Sequence, residues 1–335
     1  MKNGIVLFTS IVLLLACKTS FVDKGGSNIP LFPVYVNGMK GYIDITGKMI
    51  IEPIFEDADE FSEGLAAVRI NGKYGYIDHT GKVVIEPQFY IANPFIHGAA
   101  HVRAGESSSD KWNYIDINGH YIIESQQNCI SFKDGIALVE TKQKYSFVDK
   151  QGKSVINQQF EYASYFSEGL AAVSIEGKRG YINKKGVLAI SPQFERALDF
   201  SEGLAGVMLA GKWGFINKSG KIVIEPQFDA VDDCFSEGLC GVEIGDKRGY
   251  IDKTGKLVIK NQFDIVERFH EGLAAVCIGN RVSGKWGYID KSGEYVIKPQ
   301  FTFARDFKNG LAQVCFSSNS CGYIDKNGKK IWEDK

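Results

Sequence analysis

The chain has 335 residues, 44% of them hydrophobic and 24% charged, with a formal net charge of −1. That hydrophobic content is ordinary for a globular protein, and the near-zero charge gives no electrostatic reason to expect nucleic acid, which requires a basic face, so no nucleic-acid partner is expected. The 37 glycines, set against 8 prolines, recur at regular spacing and therefore read as repeated turns and not as a flexible linker.

The first residues differ in kind from the rest. Lys2 is a minimal positive region, and Ile5 to Ala16 is an almost unbroken apolar run. At about a dozen residues it is too short to span a bilayer, which takes about 20, and it fits a secretory signal. It ends in Leu14-Leu15-Ala16-Cys17, which resembles a bacterial lipobox. The resemblance implies a signal peptide over 1–16, lipidation of Cys17 as the first mature residue, a tether over 17–33, and a place in the bacterial envelope. Lys18 follows the cysteine; an aspartate there would point to inner-membrane retention, so the outer membrane is favoured. Acyl chains hold an otherwise soluble body on a bilayer, and more than one is needed for a stable anchor.

From residue 34 to residue 335 one pattern recurs. Gly-Tyr-Ile-Asp or a variant begins at Gly41, Gly75, Asn113, Ser146, Gly180, Gly214, Gly249, Gly287 and Gly322. A near-constant period of this size is the mark of a repeat architecture. In the second unit the pattern predicts strands over 65–70, 74–78 and 83–86. Asn71-Gly72 makes the first hairpin turn, because both positions tolerate positive φ. Asp78-His79-Thr80-Gly81 makes the second, with Asp first and Gly fourth as a type I turn prefers. Residues 87–98 carry the chain onward as one helical turn or an irregular loop.

The residue after the glycine is always aromatic and the next is Ile or Val. Neighbouring strand residues face opposite sides, so the middle strand is predicted to be buried on both faces by adjoining units. The expected fold is all-β: an open solenoid or superhelical ribbon of about nine three-stranded meander units, with a closed propeller-like ring as the alternative. Two features argue for the ribbon. Propeller blades usually have four strands in about 40–45 residues, and no unit is split between the chain ends, as strand-sharing closure requires.

These residues resemble the WG-repeat (KWG) family of bacterial proteins, most clearly in Gly211-Lys-Trp-Gly-Phe-Ile-Asn217 and Gly284-Lys-Trp-Gly-Tyr-Ile-Asp290. The resemblance spans about residues 34 to 332 and implies a β-rich repeat structure. It brings no catalytic residues.

The residue before the glycine varies: Lys40, Tyr74, Trp112, Tyr145, Arg179, Trp213, Arg248, Trp286 and Cys321. Tyr74, Trp112, Tyr145, Arg179, Trp213, Arg248 and Trp286 are the candidate binding stripe. In register they would stack as a cation–π ladder, each contact worth about 0.5–1 kcal/mol when exposed, or bind a glycan or peptide. The aspartates at the end of Gly-Tyr-Ile-Asp are replaced by Asn183 and Asn217 in two units. Asparagine makes the same turn bond but cannot act as an acid, so the position reads as turn structure. Glu63, Glu168, Glu202, Glu237 and Glu271 of the Ser-Glu-Gly motif are expected to line one edge, as charged protection against strand pairing or, less favoured, as a calcium site. Cys315 and Cys321 flank a hairpin loop and form the candidate disulfide, with Cys277–Cys315 as the competing pair; Cys129, Cys234 and Cys240 show no pairing pattern.

No metal site, cofactor or catalytic group is expected. The chain has no Cys-x-x-Cys and no phosphate loop, and its five histidines occupy unrelated repeat positions. The functional expectation is a lipid-anchored, non-enzymatic scaffold that binds an envelope or host protein, with the enlarged hairpin loops 104–111 and 278–285 as contacts. Glycan or peptidoglycan binding along the stripe is the alternative, and an enzyme with an unrecognised site is the third reading.

Overall fold

The computed structural model describes residues 29–107, 112–122, 128–133, 135–149, 153–233, 235–280 and 283–334. The first unit contributes β1 (Phe32–Val36), β2 (Met39–Ile43) and β3 (Met49–Phe55); the second contributes β4 (Asp57–Ala58), β5 (Ala66–Ile70), β6 (Lys73–Ile77) and β7 (Val83–Phe89). The same plan gives nine small antiparallel sheets among the described residues, six with four strands and three with three. The fourth strand is a two-residue piece such as β4, which pairs Asp57 with Arg69 and Ala58 with Val68. The connector is therefore neither a helical turn nor a simple loop. Its first half prolongs the outer strand to Phe89, and its second half opens the next sheet.

The glycine that recurs in seven of the nine units has a steric cause. Tyr74 pairs with Phe89 and Tyr76 with Ile85, so the outer strand carries extra residues in a bulge at Glu-Pro-Gln. That bulge passes directly over the glycine: a Cβ on Gly214 would lie 2.5 Å from the Ile224 carbonyl oxygen.

The two residues after the glycine hold neighbouring sheets together. Tyr42 packs with Phe55 of its own sheet and with Ala58, Ala66, Val68 and Ile77 of the next. Ile43, facing the other way, packs with Leu311 and Tyr323 of the last sheet. Each fully buried aromatic or Ile side chain contributes about 1.5–3 kcal/mol, and the repeat supplies this pair in every unit.

The Ile43 contact closes the molecule. Phe32, Val34 and Ile43 share a core cluster with Leu311 and Tyr323, the Phe32 and Tyr323 rings lie 5.4 Å apart, and Lys308 pairs with Glu60 at 2.6 Å. The nine sheets are the blades of a closed β-propeller ring. This corrects the expected open ribbon. No blade mixes strands from the two termini, yet the ring closes by the same side-chain packing that joins every other pair of blades. Strand sharing is not required.

Blade one has three strands among the described residues, so β1 presents an edge where β4-type strands lie elsewhere. That edge is blocked chemically. In blade two the matching groups are in use: Glu56 N–H donates to Arg69 C=O and Asp59 N–H to Ala67 C=O. In blade one Pro33 has no N–H to leave unpaired. Its carbonyl accepts from the Tyr323 hydroxyl at 3.1 Å, and the Tyr35 N–H donates to the Asp334 carboxylate at 3.0 Å.

Candidate functional site

The varied position before the glycine does not form a surface stripe. Each such residue lies directly across from one residue of the preceding strand, and in six blades the two are chemically matched. Arg69 faces Tyr74, Arg103 faces Trp112, Met208 faces Trp213, Glu243 faces Arg248, Cys277 faces Trp286 and Cys315 faces Cys321. The pairs are cation–π, sulfur–aromatic, ionic and disulfide contacts. Their variation from blade to blade reflects different solutions to one packing problem.

Trp213 and Trp286 are 8% and 5% exposed and belong to core clusters, so neither offers an indole face to a ligand. Arg179 lies 3.8 Å from the Tyr162 ring centre and donates to the Ala197 carbonyl at 3.2 Å. Arg248 binds Asp232 at 3.1 Å and Glu243 at 2.9 Å. Arg248 is engaged within its own blade and Arg179 with Tyr162 and the carbonyl of Ala197 in the next blade, so the expected ladder Arg179-Trp213-Arg248-Trp286 is absent. Tyr74 donates to Asp57 at 2.6 Å; burial and that carboxylate push its hydroxyl well above the usual tyrosine range. Trp112 stacks on His101 at 4.4 Å, and Tyr145 lies 6.2 Å from Tyr162. A sequence reader scanning single strands misses this arrangement. Comparing each residue with the one five positions earlier would have revealed it in most units.

Cys315 and Cys321 form a disulfide across facing strand positions. Cys277 is free and buried, so the competing Cys277–Cys315 pair is not made. Cys240 is also free and buried. Cys234, the Cys129 side chain and Cys17 lie outside the described residues, as do 108–111 and 281–282 of the enlarged hairpins.

The turn aspartates and asparagines do the same work. Asp78 Oδ1 accepts from the Thr80 and Lys82 N–H groups, and Asn217 Oδ1 accepts from those of Ser219 and Lys221.

The Ser-Glu-Gly glutamates link neighbouring blades, which the sequence reading missed. Glu237 accepts from Gly272 N–H of the next blade at 3.1 Å and pairs with Lys291 at 3.0 Å. Glu168, Glu202 and Glu271 repeat this with Gly203 and Lys218, Gly238 and Lys253, and Gly310 and Lys326. Each of these glutamates sits at φ near +50°, a region costly for a residue with a Cβ, and the cross-blade bond offsets that cost. Burial alone would raise the Glu237 carboxyl, but Lys291 and the Gly272 N–H bring it below its usual value. The serines add a second link: Ser62, Ser167, Ser201 and Ser236 donate to the carbonyls of Phe95, Phe200, Phe235 and Phe269. The signal available in the sequence was a lysine at the second turn position of the blade after Glu168, Glu202, Glu237 and Glu271.

What remains for recognition is the segment between the short strand and Ser-Glu-Gly. Tyr165, Asp199, Asp233 and Arg268, from four consecutive segments, line one cavity, which places these segments on the inside of the ring. Arg268 pairs with Asp233 at 3.2 Å and His270 with Asp306 at 3.4 Å. Among the described residues no group of three or more His, Cys, Asp or Glu is placed to hold a metal ion.

A closed ring of nine antiparallel blades, with its repeated polar side chains engaged in holding blade to blade, is a β-propeller scaffold. WG-containing repeats match residues 41–74, 74–106, 145–178, 180–213, 213–247, 249–281 and 286–318. The chain belongs to the WG-containing repeat family. No curated protein matches it in sequence. Among solved structures it is similar to a eukaryotic initiation factor, with 11% identity over 91% of this chain and 96% of that one and a TM-score of 0.65. That likeness concerns the fold alone. BamB from Moraxella catarrhalis aligns with 12% identity over 75% of this chain and 88% of its own, at a TM-score of 0.45.

Proposed function

We propose that this ring is a lipid-anchored, non-enzymatic scaffold of the bacterial envelope that binds another protein. The observation that carries the reading is the division of labour among its polar residues. The repeated aspartates, serines and glutamates are engaged in turns and blade-to-blade links, while the inward segments differ from blade to blade in charge and size. Such a body offers varied side chains on a rigid frame, which suits recognition of a protein surface. The Leu14-Leu15-Ala16-Cys17 sequence supports acylation at Cys17, with the outer membrane favoured by Lys18. Glycan binding along the former stripe is not proposed, because its two central tryptophans are buried.

Cross-linking in intact cells followed by capture of the ring should recover one protein in defined stoichiometry. Recovery of only bulk envelope proteins, in proportion to their abundance, would reject the scaffold reading. Mass spectrometry of the mature N-terminus should show acylated Cys17; an unmodified residue elsewhere would reject the anchor.

A further inference from the structure

Four consecutive blades present one register position to the inside of the ring. Ser164, Leu198, Asp232 and Glu267 donate their N–H groups to the carbonyls of Ala172, Gly206, Gly241 and Ala275 in the adjoining strand of the same blade. The residue that follows is Tyr165, Asp199, Asp233 or Arg268. These four line a cavity of about 440 Å³, with Tyr162 and Leu198 among its other walls. Two carboxylates therefore meet one guanidinium beside aromatic and apolar surface. The rest of the ring interior is biased the same way. Residues 59–60, 93–94, 164–165, 198–199, 232–233, 267–268 and 305–306, the matching pairs of seven blades, carry seven carboxylates and two arginines.

We propose that this cavity receives an arginine or lysine side chain carried by an extended basic segment of a partner protein. The inference rests on the protein-binding reading above and names the chemistry of that partner.

The cavity is open to a partner. Tyr165 is 44% exposed and the Asp233 side chain 80% exposed. Such a cleft suits a side chain presented by a protein, whereas a small free ligand is held by enclosure on most sides. The ring already contains both halves of the recognition. Arg179 holds its guanidinium 3.8 Å from the centre of the Tyr162 ring, a cation on a tyrosine face. Arg268 reaches back one blade to Asp233 at 3.2 Å, a cation on a carboxylate. A partner's side chain would combine the two. Its methylene stem would lie along Leu198 and the Tyr165 ring, and its charged head would donate to Asp199 and Asp233. The Arg268–Asp233 pair is solvent-exposed and contributes little to stability, so Asp233 can take a second cation at small cost. Carboxylates alone would form an ordinary solvated face; the aromatic and apolar wall beside them is what fits a long cationic side chain.

The test is fluorescence anisotropy of a labelled peptide of alternating arginine and serine, titrated with the full mature chain at low and high salt. Saturable binding is expected, weaker at high salt. Tyr165→Ala and Asp233→Asn should each weaken it at least tenfold. Both positions are exposed, and thermal melts check that each variant keeps its fold. Glu225→Gln removes the same charge from an exposed position on the outer strand Ile222–Phe228 and should change binding less than twofold. Three results would overturn the proposal: no saturation at millimolar peptide, equal weakening by Glu225→Gln and Asp233→Asn, which would mean attraction by overall charge, or wild-type binding by Tyr165→Ala. A partner captured from cells equally well by the wild-type ring and by the double variant Tyr165→Ala, Asp233→Asn would overturn the cavity as its site while leaving the scaffold reading intact.

Discussion

The Tyr323 hydroxyl donates to the carbonyl of Pro33, 290 residues earlier in the chain. The same tyrosine in blade eight, Tyr288, donates to Arg305 only 17 residues later. One repeated side chain thus makes a local bond around most of the ring and the ring-closing bond at the seam. Tyr323→Phe and Tyr288→Phe should each lower stability by about 1 kcal/mol in urea titrations, the net value of one such bond. A ring that is open in solution would show the loss for Tyr288→Phe and none for Tyr323→Phe.

The glutamate links predict a particular ordering of variants. Glu237→Ala removes the bonds to Gly272 and Lys291 and keeps a Cβ at φ 52°. Glu237→Gly removes the same bonds and relieves the backbone. Both should be destabilised, Glu237→Ala by about 1–2 kcal/mol and Glu237→Gly by less. The link also depends on pH. The Glu237 carboxyl lies below its usual 4.5 in the folded chain, so its contribution is present above that value and lost as the pH falls through the folded value. Equal losses for the two variants would show that the left-handed backbone carries no strain.

Asp232 predicts the opposite slope. It is held in the interior by Arg248, yet its second oxygen, Oδ2, is buried without a hydrogen-bond partner. Burial outweighs the attraction of Arg248 and raises the carboxyl from 3.8 to about 6. The native state therefore binds more protons than the unfolded chain between about pH 4 and 6, and stability from this group falls as the pH rises through that window. Asp232→Asn should gain stability over wild type on going from pH 4 to pH 8, on the order of 2 kcal/mol. Parallel stability profiles for the two proteins would refute the shift.

The glycine of the repeat is a steric requirement. Gly214→Ala places a methyl group 2.5 Å from the Ile224 carbonyl oxygen, where only backbone movement can relieve the clash. A loss of about 2 kcal/mol or more is expected by calorimetry. A neutral result would mean that the Glu-Pro-Gln bulge shifts freely.

Much of this fold was legible in the residues. The Tyr-Ile pair announced a strand buried on both faces, and the Asp/Asn exchange announced a turn. Closure was not legible, because Pro33, Tyr323 and Asp334 act together only once the blades have curved round to meet. The site was misread for a different reason. Trp213 and Arg248 look like free surface variation along one strand, and their meaning appears only beside Met208 and Glu243 on the facing strand.

The closed ring is tested most directly by zero-length carbodiimide cross-linking of the dilute monomer, read by peptide mass spectrometry. Lys308 and Glu60 are in contact across the seam at 2.6 Å, and Lys291 and Glu237 lie 3.0 Å apart within the ring. The account predicts both isopeptide links in the monomer at comparable yield. A Lys291–Glu237 link without any intramolecular Lys308–Glu60 link would contradict it.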